Sequence, residues 1–123
     1  MATQLTPFIP CRPNAGTPGA NAADVTFAAG DPTGNTFVSN GRDYIWVRNS
    51  HASNPYNFSV TAVPDLFGRT VNITNYALQA SDIACLGPFT REGWAALSGV
   101  DAGKITCTPE NAALLIAIQR TDT

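Results

Sequence analysis

Asn40-Gly41-Arg42-Asp43-Tyr44-Ile45-Trp46-Val47-Arg48-Asn49 is the stretch whose reading decides the fold. Asn-Gly is the strongest short hairpin signal, because tight hairpin turns need positive φ and these two residues tolerate it. The run behind it is β-branched and aromatic, and apolar on both faces at its start, which predicts a central strand with Thr36 to Ser39 on the other side of the turn. Downstream, a polar loop leads into Asn57 to Ala62, where Phe58, Val60 and Ala62 alternate with polar neighbours. One face of that strand is expected in a core and the other in water. Trp46 and Phe58, large rings in the two clearest strand patterns, are expected to be core residues.

Working outward, Val25 to Ala28 reads as a first short strand, followed by a turn-rich AAGDPTGN. Thr70 to Thr74 places Val71 and Ile73 on one face, and Ala80 to Leu86 does the same for Ile83 and Cys85. Gly87-Pro88 ends that strand. The segment REGWAALSG is expected to make one helical turn that carries Trp94 inward before Gly99 stops it. Lys104 to Thr108 and Leu114 to Arg120 complete the set, with Leu114, Ile116 and Ile118 on one face. Pro109-Glu110 could instead open a helix over 110–118, a minor alternative that Ile116 and Ile118 oppose. Eight short strands at this spacing predict an all-β sandwich or barrel over residues 25–123.

Residues 1–24 contain Pro7, Pro10, Pro13 and Pro18, which forbid a helix or a central strand. Leu5, Phe8 and Ile9 are nevertheless apolar. An extended arm that docks these three residues on its own core or on a neighbour reconciles the two facts. The strands begin at Val25, so a chain without residues 1–22 is expected to fold.

Composition narrows the function. Among 123 residues only 13% are charged, against about 25% for ordinary soluble domains, with one Lys and two Glu. A surface so poor in charge suits a subunit packed against neighbours. The net charge is −2 and the basic residues are scattered, which argues against nucleic acid or an anionic membrane as a partner. No apolar run reaches the roughly 18 residues of a membrane span, and the first residues lack the order of a signal peptide, so synthesis in the cytoplasm is expected. Cys11, Cys85 and Cys107 have no paired spacing; the last two lie in apolar alternating context and are expected to be buried, reduced and unliganded.

No constellation for chemistry emerges. The single histidine, His51, lies in a Ser/Asn/Pro loop, and the acidic residues fall mostly in turns. Signatures for a catalytic nucleophile, a phosphate loop, a metal or a cofactor are missing, so no enzyme activity, cofactor or metal is expected. Tyr44 and Trp46 share a strand face, and would form a short stacking platform if exposed.

With these features in hand, the chain resembles the small tailed-phage virion proteins that decorate or cement the capsid shell. The resemblance spans about residues 34–120 and rests on Asn40-Gly41-Arg42 feeding the strand Tyr44 to Asn49, then a polar loop, then a strand closed by Gly87-Pro88-Phe89. It implies a jelly-roll-like β-sandwich without enzymatic activity. It also implies a small homo-oligomer, dimer or trimer, on the capsid exterior, bound across contacts between major capsid protein subunits. Leu5, Phe8 and Ile9 are the expected capsid or subunit contacts, on composition alone. The alternative is a carbohydrate- or receptor-binding β-sandwich module of a phage tail or fibre, using Trp46 or Tyr56.

Overall fold

The computed structural model describes residues 3–10, 16, 19–20 and 23–120. Within them the chain forms nine strands and no helix: β1 Thr3–Gln4, β2 Ala28–Ala29, β3 Asn35–Val38, β4 Asp43–Asn49, β5 Tyr56–Thr61, β6 Ile73–Leu78, β7 Ile83–Phe89, β8 Lys104–Pro109 and β9 Leu114–Arg120. They build one sheet in the order β1-β3-β8-β5-β6 and another in the order β2-β9-β4-β7. The protein is an all-β sandwich. Its winding follows from the pairings: β2 lies against β9, β3 against β8, β4 against β7 and β5 against β6, all antiparallel. The chain is thus a long ribbon folded on itself between β5 and β6, then rolled so that β9 also meets β4 and β8 also meets β5.

Alternation explains the core. Phe37, Ile45, Val47, Phe58, Val60, Ile105, Cys107, Ile116 and Ile118 point between the sheets and are fully or almost fully buried. Phe58, Cys107 and the Leu114, Ile116 and Ile118 face stand where the sequence pattern places them, and residues 114–120 are strand rather than helix.

Five expectations are corrected. Asn40-Gly41 is a turn, with Gly41 at φ 90°, but it joins β3 of one sheet to β4 of the other and makes no hairpin. Trp46 faces away from the core, because β4 buries Asp43, Ile45, Val47 and Asn49 and turns Tyr44, Trp46 and Arg48 outward. β7 likewise exposes Ile83 and Cys85 and packs Ala84 and Leu86 against the core. The strand expected at 70–74 begins at Ile73 and runs to Leu78, leaving Val71 exposed. The first strand, expected over 25–28, is confined to Ala28–Ala29, whereas the single helical turn expected within 91–99 is present, with the Ala95 N–H on the Arg91 carbonyl at 2.9 Å, and it carries Trp94 inward, edge-on to Phe89 with centroids 4.9 Å apart.

The N-terminal stretch is stitched into the sandwich. β1 pairs in parallel with β3, and the Leu5 N–H donates to the Thr36 carbonyl at 2.7 Å. Leu5 then drops into the core, 7% exposed. Three residues on, the Phe8 N–H donates to the Ile118 carbonyl and its carbonyl accepts from Arg120 N–H, both at 2.7 Å. Residues 3–8 therefore bind the edge of one sheet, fill the gap and bind the edge of the other.

Two outcomes follow from this packing. Leu5→Ala should destabilise the protein by about 2 kcal/mol or more, and Phe58→Ala by about 3–5 kcal/mol, as read from urea unfolding. A Leu5→Ala loss below about 0.5 kcal/mol, the range of a surface change, would mean that the stretch is an appendage. Burial pushes the Cys107 thiol up to about 12. In native protein Cys107 should resist thiol reagents and react only on unfolding, whereas exposed Cys85 should be alkylated in the folded state.

Candidate functional site

The same N-terminal stretch builds an apolar concavity. Phe8, Ile9 and Pro10 form one wall over the outer face of the four-stranded sheet, and Ala23 to Val25 with Phe27 form another. Between them lies an apolar groove of about 690 Å³ floored by Trp46 and Ile83. That volume is within the range of small-ligand sites. Asp24 supplies the charged group in the lining and Gln119 the amide. The Trp46 Nε1–H donates to Gln119 Oε1 at 2.8 Å, which holds the indole in place and occupies the amide oxygen. The ring stays half-buried.

Of the three contacts expected from sequence, the structure brings two together. Phe8 is half-buried at the groove wall, and Ile9 beside it is 53% exposed. Leu5 is removed from any surface by its place in the core. Cys11 falls outside the described residues.

The start of the same stretch is fastened by a small carboxylate knot. Thr3 Oγ1 donates to Asp31 Oδ2 at 2.6 Å, while Thr33 donates its N–H and its hydroxyl to Asp31 Oδ1 at 2.9 and 2.7 Å. The loop between β2 and β3 is thereby tied to β1. These bonds, the Thr3 hydroxyl first, lower the Asp31 carboxyl to about 2.

A second apolar surface was not legible in the alternation. Leu66, Phe67 and Val71 in the β5–β6 connection, with Leu97 and Val100 in the β7–β8 connection, are between 76% and 91% exposed. The two connections touch: the Val63 N–H donates to the Gly93 carbonyl at 2.8 Å and the Leu66 N–H to Glu92 Oε2 at 3.0 Å. The β3–β4 turn joins them through Ser39 N–H to the Gly103 carbonyl at 3.0 Å, so all three occupy one end of the sandwich. The signal was available in Leu66-Phe67, two large apolar residues inside a Pro/Asp/Gly turn, where nothing local buries them.

The titratable groups are dispersed. Among the described residues no three of His, Cys, Asp and Glu come together in a metal-binding group. His51 is a turn residue: its Nδ1 accepts from the N–H groups of Ser53 and Asn54 at 3.1 and 3.0 Å. Among the described residues no helix is long and apolar enough to cross a membrane.

Asp31 makes the attachment of β1 pH-dependent. Its carboxyl titrates below the ordinary 3.8 when folded, so the stability it adds is complete above about pH 4 and is lost as pH falls through about 2. Urea midpoints of the wild type and Asp31→Asn should differ by a constant amount from pH 5 to 7 and converge toward pH 2. A gap equally wide at pH 2 would show that the ionised carboxylate is not the tie.

Set against family models, curated proteins and solved structures, the chain matches none of them.

Proposed function

We propose that the chain is a virion structural protein that decorates and stabilises a phage capsid from outside, binding across contacts between major capsid protein subunits. The observation that carries this reading is apolar surface left uncovered on a chain with only 13% charged residues: a groove walled by Phe8 and Ile9 on one sheet face, and a separate exposed cluster at one end. Such surfaces suit protein neighbours, and a subunit that binds only an assembled lattice stabilises it by its own binding energy. The rolled pairing of β2–β5 with β6–β9 supports reading the sandwich as jelly-roll-like.

Trp46 favours a second reading, a carbohydrate- or receptor-binding module of a tail or fibre, because its ring lies on the outer sheet face within the groove. Sugar hydroxyls need several convergent donors and acceptors to replace water. The groove offers Asp24 and an amide whose oxygen already bonds to the indole, between walls of Phe8, Ile9, Val25 and Phe27. An apolar protein segment fits that lining better than a sugar does.

The test is reconstitution. The purified chain, incubated with phage shells stripped of decoration, should co-sediment with them and raise their heat resistance, with little change between 0.1 and 1 M salt (roughly 10 and 3 Å Debye lengths). Ile9→Asp should weaken shell binding about tenfold or more while leaving the fold intact. Absence of binding by the wild type would overturn the capsid reading. Quenching of Trp46 fluorescence by a soluble oligosaccharide would favour the second.

A further inference from the structure

The apolar end of the sandwich, one of the two uncovered surfaces behind the capsid reading, carries an inference that holds whether or not the chain binds a shell. We propose that the β5–β6 and β7–β8 connections form a self-association face, and that its occupant is the same face of a second copy of this chain.

The first argument is presentation. Leu66 and Phe67 do not sit on a loose loop. Asp65 accepts from Phe67 N–H at 2.8 Å, from Arg69 N–H at 3.0 Å and from Arg69 Nε at 3.0 Å, and Gly68 closes the turn at φ 76° with its N–H on the Asp65 carbonyl. The Arg69 guanidinium lies over the Phe67 ring, 5.0 Å from its centroid. An aromatic anchor held this way loses little entropy when it docks.

The second argument is area. Five large side chains at 76–91% exposure offer on the order of 500 Å² of apolar surface, the upper end of what free monomers leave uncovered. A standard interface buries about 800 Å² on each partner, so these residues with their flanking backbone supply most of one. The opposite end, made of the connections at 30–34, 50–55, 79–82 and 110–113, has no exposed large hydrophobic residue among those described. The asymmetry places the contact at one end.

The third argument is charge. Arg69 is paired with Asp65, and Glu92 is bonded to the Leu66 N–H. With acidic Asp65, Glu92 and Asp101 set among basic Arg69 and Arg91, the patch carries both signs and presents no strong field of one sign to draw nucleic acid or anionic lipid. For the same reason it can meet its own copy without like-charge repulsion. Lateral pairing through the open edges is obstructed instead: β7 carries Gly87 at φ 136° and Pro88, and β6 carries Asn75 at φ 54° beside a bulge in its pairing with β5.

The experiment is sedimentation equilibrium of the full chain, with Phe67→Asp and Val100→Asp as separate variants and Ala52→Asp, at the polar end, as the control. Circular dichroism and thermal melts check that each variant is folded. The wild type should associate reversibly below about 100 μM. Each apolar-end variant should raise the dissociation constant about tenfold or more, and the control should leave it unchanged. A wild type that stays monomeric at that concentration, or an oligomer as tight in both variants as in the wild type, would overturn the proposal. So would a monomer that floats with phosphatidylcholine vesicles through Phe67, because the patch would then be seeking lipid.

Discussion

Two sheets share one core, and on the flank where β3 and β9 lie, residues 3–8 join the two sheet edges. A sandwich of this kind is open along its sides wherever neighbouring edge strands diverge, and an open side admits water to the core. Here β1 covers the edge of β3, Phe8 covers the part of the β9 edge that β2 leaves free, and Leu5 fills the space between. The groove on the outer face depends on this closure, because Phe8 is both the last stitch and the first residue of the groove wall. The Asp31 knot depends on it too, since its Thr3 partner belongs to β1. A chain lacking residues 1–22 would lose all three features together, so the stretch is structural before it is functional.

Strand existence was largely readable from the residues, whereas strand facing was not. In Asp43 to Asn49 both faces carry large apolar groups, and a period of two gives no preference between Ile45 with Val47 and Tyr44 with Trp46. Ring size argues for Trp46 inward. What settles it is polar: Asp43 and Asn49 share the inward face, and both are fully buried because the fold supplies partners that the sequence cannot display. Asp43 accepts from Asn40 N–H at 2.9 Å and faces Arg120 Nε at 3.7 Å, an ion pair rather than a hydrogen bond. Asn49 donates to the carbonyls of Asn54 and Leu78 and accepts from His51 N–H at 3.0 Å. These two side chains organise the chain reversals at either end of the central strand. Arg48, exposed and in phase with Trp46, was the local clue to the true facing.

The misread hairpin has a related cause. Asn40-Gly41 specifies a sharp change of direction, and local chemistry says nothing about whether the strands it joins pair with each other or diverge into different sheets. Edge strands were harder still. β7 is half solvated, so Ile83 and Cys85 lie outward on a strand whose sequence is apolar in both phases. Of the arm residues singled out by composition, Phe8 and Ile9 reached the groove and Leu5 did not. Composition identified an apolar stretch that had to dock, and distance in three dimensions divided it between core and surface.

The rolled ribbon has a consequence for how the chain comes to be folded. β9 is the partner of β2, β4 and Phe8, and β8 is the partner of β3 and β5. Every strand from the first half of the chain except β1 therefore waits for a strand from the second half. Closing such long loops before any pairing rewards them makes the topology slow to fold relative to chains rich in local contacts. During synthesis, the five-stranded sheet cannot be completed until Pro109 has left the ribosome, nor the four-stranded sheet until Arg120 has. Until then Trp46, Leu66 and Phe67 share the nascent chain with an unsatisfied core, which makes that interval the one in which aggregation competes with folding.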